Sequence, residues 1–193
     1  MDTLCPAQNK QEATARGYSQ QEKLRDGRVL KIRAIVPQDK KVLAEGMHHL
    51  SPTSLYYRFL TPKKELTEQE LVYFTEVDFL HHVALLAEIE DDGQFVPAGI
   101  GRYVMSDSRN SSTAELAFAI CEEYQGLGIA TLLLHHLTLI AKSNGLKTFT
   151  ALVLPENRKM LEVFRNSGLE MKSILNSAAV LELRLNIDPS VDT

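Results

Sequence analysis

The stretch Thr113-Ala114-Glu115-Leu116-Ala117-Phe118-Ala119-Ile120, followed closely by Tyr124-Gln125-Gly126-Leu127-Gly128-Ile129-Ala130, decides how the rest of the chain is read. Its first part alternates. Leu116, Phe118 and Ile120 fall on one face of a strand, and Thr113, Glu115, Ala117 and Ala119 on the other. The bulky face suits packing against a helix. The small face leaves room for something flat or extended to lie along the strand, with one carboxylate in the middle of it. The second part carries two glycines and runs straight into a helical pattern. Glycines let backbone N–H groups come close to a ligand, and a helix N-terminus adds unpaired donors and the positive end of a dipole. Strand, glycine-bearing loop and helix in that order make a cradle for a phosphate or a diphosphate.

Downstream, Ile129, Leu132, Leu133, Leu137, Ile140 and Ala141 form one apolar helical stripe, closed by Gly145. Lys147 to Leu154 reads as a buried strand, so strand, helix and strand imply a parallel pair joined by a right-handed crossover. Asn157 to Ser167 is a second helix, with Met160, Leu161 and Phe164 inward and Gly168 at its end. Leu169 to Leu175 and Ala179 to Leu185 close the fold as a hairpin. Upstream, Arg28 to Val36 is the first strand. Pro37 opens an amphipathic helix bearing Val42, Leu43, Met47 and Leu50. Ser51-Pro52 opens another, and Thr67-Glu68-Gln69-Glu70 has the form of a capping box. Val83 to Ile89 and Val96 to Met105 pair about a turn at Asp91-Asp92-Gly93. Gly99 and Gly101 mark a bulge or a close backbone approach there. Residues 1–26 are polar and without a period, which reads as a loosely held extension. Residues 27–187 read as one α/β (α+β) domain and 188–193 as a tail.

A length of 193 residues suits a single domain with a real core. The net charge of −4 excludes broad electrostatic binding to nucleic acid or an anionic membrane and mildly suits a cationic acceptor. Cys5 and Cys121 are too far apart for a metal spacing, and no disulfide is expected. No signal-like or bilayer-length apolar run is present, so the expected setting is the cytoplasm. The histidines come as the adjacent pairs His48-His49, His81-His82 and His135-His136. Neighbours diverge on either a strand or a helix, so no metal site is expected. Thr131 stands where a dinucleotide fold needs its third glycine, and the Gly-Lys-Ser/Thr of a P-loop is absent.

The segment Gln125-Gly126-Leu127-Gly128-Ile129-Ala130 resembles the Gln/Arg-x-x-Gly-x-Gly/Ala loop of the GCN5-related N-acetyltransferase (GNAT) family, and Asn157 to Gly168 looks like that family's second cofactor motif. Within the family, Leu50-Ser51-Pro52-Thr53-Ser54-Leu55-Tyr56-Tyr57-Arg58-Phe59, Ala114-Glu115-Leu116-Ala117 and Leu154-Pro155-Glu156-Asn157-Arg158 are similar to the acetyltransferase domains of bacterial Pat-type protein lysine acetyltransferases. The resemblance implies a mixed, mostly antiparallel central sheet flanked by helices. In it two parallel strands splay apart and the pantetheine arm of acetyl-CoA fills the gap. It implies an N-acetyltransferase that uses acetyl-CoA as co-substrate and no metal. Ile120, Glu122, Gln125, Gly126, Leu127, Gly128, Ile129, Ala130 and Asn157 are its implied cofactor-binding residues. A backbone N–H near Ile120 would polarise the thioester carbonyl.

Glu115 is the candidate general base. Among Thr113, Ala117 and Ala119 its carboxylate is expected to be partly desolvated; the plainer reading is a solvated strand glutamate. Asn157 serves equally as a helix cap. Phe164 stands where many family members have an acidic Tyr, so no general acid is named. Tyr124 is expected to pack at the loop, and Arg58 to lie on the surface. The expected partners are acetyl-CoA and an amine, either a protein lysine or a small molecule, with a homodimer left open. The alternative is a non-catalytic module that senses acyl-CoA.

Overall fold

The computed structural model describes residues 15–105, 112–175 and 179–188. Residues 1–14, the polar run 106–111, residues 176–178 and residues 189–193 of the expected tail lie outside them. The elements are β1 (Ser19–Lys23), β2 (Val29–Ala34), α1 (Lys40–Gly46), α2 (Pro52–Phe59), α3 (Glu68–Thr75), β3 (His82–Asp91) and β4 (Gln94–Met105). There follow β5 (Thr113–Ile120), α4 (Ile129–Ser143), β6 (Thr148–Val153), α5 (Arg158–Arg165), β7 (Glu170–Leu175) and β8 (Leu181–Asn186). The strands form one sheet in the order β1-β2-β3-β4-β5-β6-β8-β7. Every neighbouring pair is antiparallel except β5 and β6.

Local chemistry places most boundaries. Ser51 caps α2 by accepting from the Ser54 N–H. Thr67 and Glu70 form the reciprocal box at α3, with bonds of 3.2 and 2.9 Å. The β3–β4 turn is Asp92-Gly93, both at positive φ (47° and 76°), as a two-residue hairpin of matching twist requires. The two readings of Gly99 and Gly101 both hold. Register slips at Ala98, between the pairs Ala87–Gly99 and Glu88–Pro97. A Cβ on Gly101 would stand 2.8 Å from the Phe118 ring. That ring faces α4, whose Ile129, Leu133, Leu137, Ile140 and Ala141 are buried on this side of the sheet.

The reading of residues 1–26 as loosely held is corrected for its second half. β1 pairs along its length with β2, from Ser19 opposite Arg33 to Lys23 opposite Val29. Its sequence, Ser-Gln-Gln-Glu-Lys, has no apolar period because β1 is the sheet edge. The anchors lie beside it instead. Ala15 and Leu24 are buried in the core, and Tyr18 Oη hydrogen-bonds His136 Nδ1 on α4 at 2.6 Å.

A charged cluster fixes β2 and β3 to the chain entering α1. The Arg33 guanidinium donates to both Asp39 oxygens (2.8 and 2.9 Å) and both Glu88 oxygens (2.9 and 3.1 Å), while the Val36 N–H donates to Asp39 at 2.8 Å. Burial pushes the Asp39 carboxyl up, but Arg33 and the Val36 N–H outweigh it and hold the group below its usual range. A carboxyl depressed in the folded state stabilises fully above its unfolded pKa, and the contribution is lost as pH falls through the folded one. Asp39→Asn should therefore cost about 2 kcal/mol at neutral pH, between an exposed and a fully buried pair. Urea titrations of the two proteins should converge in acid; a gap that stays constant there would rule out the ion pair as its cause.

Candidate active site

β5 and β6 pair only from Thr113–Thr148 to Glu115–Thr150. β5 continues to Ile120 against β4 and β6 to Val153 against β8, but not against each other, so the two strands part immediately beyond Glu115. The Cys121 N–H donates to Ala98 O at 2.9 Å, which sets the phase of β5. Odd-numbered residues turn their backbone groups to β4, so Leu116, Phe118 and Ile120 turn theirs to the side that β6 has left. The gap is a slot with strand backbone along one wall.

The glycine loop stands at the end of this slot. Gly126 (φ 81°) and Gly128 (φ 88°) adopt left-handed conformations, and a Cβ on either would meet nothing within 4 Å. Gly128 is the α4 N-cap and offers no side chain; the first helical bond runs from the Leu132 N–H to Gly128 O. The amides from Gly126 through Thr131 consequently find no protein acceptor among the described residues. Consecutive unpaired N–H groups at a helix N-terminus are the chemistry a diphosphate needs. Gly126, Leu127, Gly128, Ile129 and Ala130 lie together at this helix start.

Gln125 links the loop to its surroundings. Its Nε2 donates to Ile120 O and Ser54 Oγ, each at 3.3 Å, and its Oε1 accepts from Lys159 Nζ at 2.9 Å. Asn157 caps α5 by accepting from the Met160 N–H at 3.2 Å. Glu122 departs from its expected place. Its carboxylate accepts from the Ser54 hydroxyl and, at 3.0 Å, from the Ser51 N–H. These two bonds hold it below the usual carboxylate range. The side chain serves the start of α2, where unpaired amides draw a carboxylate as they would a phosphate, and only its backbone is left for a ligand.

Glu115 occupies the last paired rung, where the slot opens. It is exposed rather than partly desolvated, because Thr113 and Ala117 are too small to cover it and β6 turns away beside it. Phe164 is fully buried in an edge-to-face contact with Phe118, and provides no acid. Tyr124 packs at the loop as expected, its hydroxyl donating to Asp91 at 3.2 Å. Among the described residues no cluster of three His, Cys, Asp or Glu side chains is arranged to hold a metal ion, and no helix is long and apolar enough to cross a membrane.

Arg58 is half-buried rather than fully on the surface. Its guanidinium lies over the rings of Phe59 and Phe74, at 5.0 and 5.9 Å, and burial lowers its pKa while the charge of Glu115 opposes that shift. Arg102 was missed altogether. On β4 it is opposite Ala117, on the same face as Ile100 and Val104, and only 4% exposed. A charge at an inward position of an otherwise apolar strand was the signal. Both arginines line a cavity of about 70 Å³ under α1, α2 and α3.

The sequence profile described as Acetyltransferase (GNAT) family matches residues 45–169, well over half of the chain. The chain belongs to the GNAT family. This GNAT protein is 30% identical over 142 residues to Acetyltransferase PA5475 of Pseudomonas aeruginosa, covering 74% of this chain and 75% of that protein. It is 29% identical over 145 residues to Acetyltransferase Pat of Mycolicibacterium smegmatis, covering 75% of this chain but 42% of the longer Pat. Among solved structures it is similar to the GNAT domain of S. lividans PAT, with TM-score 0.78 and 31% identity over 87% of this chain and 96% of that one. The Salmonella typhimurium protein yncA, solved with its cofactor acetyl-CoA, shares the fold at TM-score 0.65 and 17% identity, over 84% of this chain and 96% of that one. This GNAT protein is thus an acyltransferase of acetyl-CoA-dependent type, related to Pat-type acetyltransferase domains.

Proposed function

We propose that the protein moves an acetyl group from acetyl-CoA to a primary amine by direct attack in a ternary complex. The slot carries this reading: Glu115 stands at its root, strand backbone runs along its wall, and unpaired amides lie at its far end. The amides from Gly126 to Thr131 hold the diphosphate, with Gln125 and Asn157 beside them. The Ile120 N–H polarises the thioester carbonyl, and its donation strengthens as the oxygen gains negative charge. The neutral amine nitrogen attacks the carbonyl carbon. As the C–N bond forms, Glu115 accepts the proton that nitrogen sheds, directly or through a water. The C–S bond then breaks and the thiolate takes a proton from solvent, since Phe164 has none to give.

A protein lysine, the acceptor suggested by likeness to Pat-type enzymes, is one member of this amine class. Release of free thiol from acetyl-CoA over a panel of amines tests the reading, alongside calorimetric titration with CoA. Amine-dependent release with CoA bound in the slot is the expected result. Tight CoA binding with no release from any amine would replace the enzyme with an acyl-CoA-sensing module.

A further inference from the structure

Among the described residues, the cavity under α1–α3 is lined by two cations and no anion. Arg102, at 4% exposure, makes one long contact of 3.5 Å to His82 Nε2 and lies 4.2 Å from the Phe74 ring centre. No carboxylate pairs with Arg102 or Arg58 among the described residues. Asp78, the acid closest to His82, is taken up by the N–H groups of Leu80, His81 and His82 and by the His81 ring. Burial and the Arg102 charge push His82 down to about 4, so at neutral pH the imidazole adds no charge and relieves none. A ring face offsets only part of what burial of a guanidinium costs, and natural proteins seldom leave such a group without an anion. The remaining lining is apolar, with Leu43, Met47, Phe59 and Leu66 among it. Its volume of about 70 Å³ exceeds the ~10–15 Å³ needed by one water, and suits a carboxylate on a short chain.

Position ties the cavity to the chemistry. Arg102 lies opposite Ala117, two residues along β5 from Glu115 on the same face, or roughly 7 Å. Arg58 lines the same cavity, close enough for the Glu115 charge to act on it. We propose that this cavity is the acceptor pocket and takes a small amine bearing a carboxylate and a short apolar side chain, an amino acid being the simplest case, with Arg102 and Arg58 holding the carboxylate and the amine directed to Glu115. The proposal rests on the acetyl-transfer reading above. The cationic lining is local, so the net charge of −4, which by itself suits a cationic acceptor, does not govern the choice.

The test compares L-leucine, L-leucinamide, isoamylamine and a lysine peptide in the thiol-release assay. It also measures calorimetric binding of isocaproate, the leucine skeleton without its amine. Leucine should exceed both uncharged-headed amines and the peptide in kcat/KM by at least about 10-fold, as expected for a hydrogen-bonded charge pair. Isocaproate should bind and compete with leucine. Arg102→Met should remove that preference and isocaproate binding while leaving the KM for acetyl-CoA unchanged. Its Tm should not fall, because an unpaired buried cation is replaced by an apolar side chain of similar length. If that variant fails to fold, isocaproate binding to the native chain decides the matter. Equal turnover of leucine and leucinamide, or a preference for the peptide, would overturn the carboxylate pocket and leave acetyl transfer standing. Silence from every amine would strike the transfer reading instead, and isocaproate binding would still judge the pocket.

Discussion

Glu115→Gln should lower kcat by about 100- to 10,000-fold, the range for loss of a positioned general base, with the Kd for CoA unchanged. The substitution keeps shape and removes only the ability to accept a proton. The reason to expect so large an effect is position. Glu115 is the last residue of β5 to share a rung with β6, and the strands diverge past it. A thioester lying in the gap and an amine arriving from the α1–α3 side would meet beside this carboxylate. Its exposure does not argue against the role, since both reactants would cover it. The comparison that matters is kcat across the neutral to alkaline range. Equal turnover in the two proteins throughout would remove Glu115 from the mechanism, whatever its place in the slot.

How far the sequence could be read depended on the distance over which each feature is determined. The Thr67–Glu70 box, the Asp92-Gly93 turn and the left-handed Gly145 after α4 are all local, and each is where its residues put it. The splay was legible only through the family likeness, because nothing in Leu116 to Ile120 says that a parallel neighbour will leave. β1 was illegible. It is held by Tyr18 on His136, 118 positions away in sequence, and by pairing with β2. Glu122 looked like part of the glycine loop because it is adjacent in sequence, yet its carboxylate reaches back to Ser51 and Ser54. Arg58 and Arg102 show the same limit from the other side. Arg58 alone reads as a surface cation and Arg102 as a lone charge on an inward strand position, and only the fold puts both beside Phe74 in one cavity.

Gly128→Val should weaken CoA binding by about 100-fold while costing only about 1–2 kcal/mol of stability. The two numbers have separate causes. The stability cost comes from φ at 88°, where an L side chain crowds the following carbonyl. It is not a packing cost, because a Cβ at this position meets nothing within 4 Å. That empty space adjoins the unpaired amides at the start of α4, so a side chain filling it would hold a diphosphate away from them. Losing two charge-assisted N–H bonds, at about 1.5 kcal/mol each, gives the hundredfold loss. Gly145→Val provides the control: it too has a left-handed φ, 78°, and open space around it, but lies at the far end of the same helix. Equal strain without a ligand should leave CoA affinity at the native value there. If calorimetry shows both variants binding CoA as tightly as the native protein, the cradle does not hold the diphosphate.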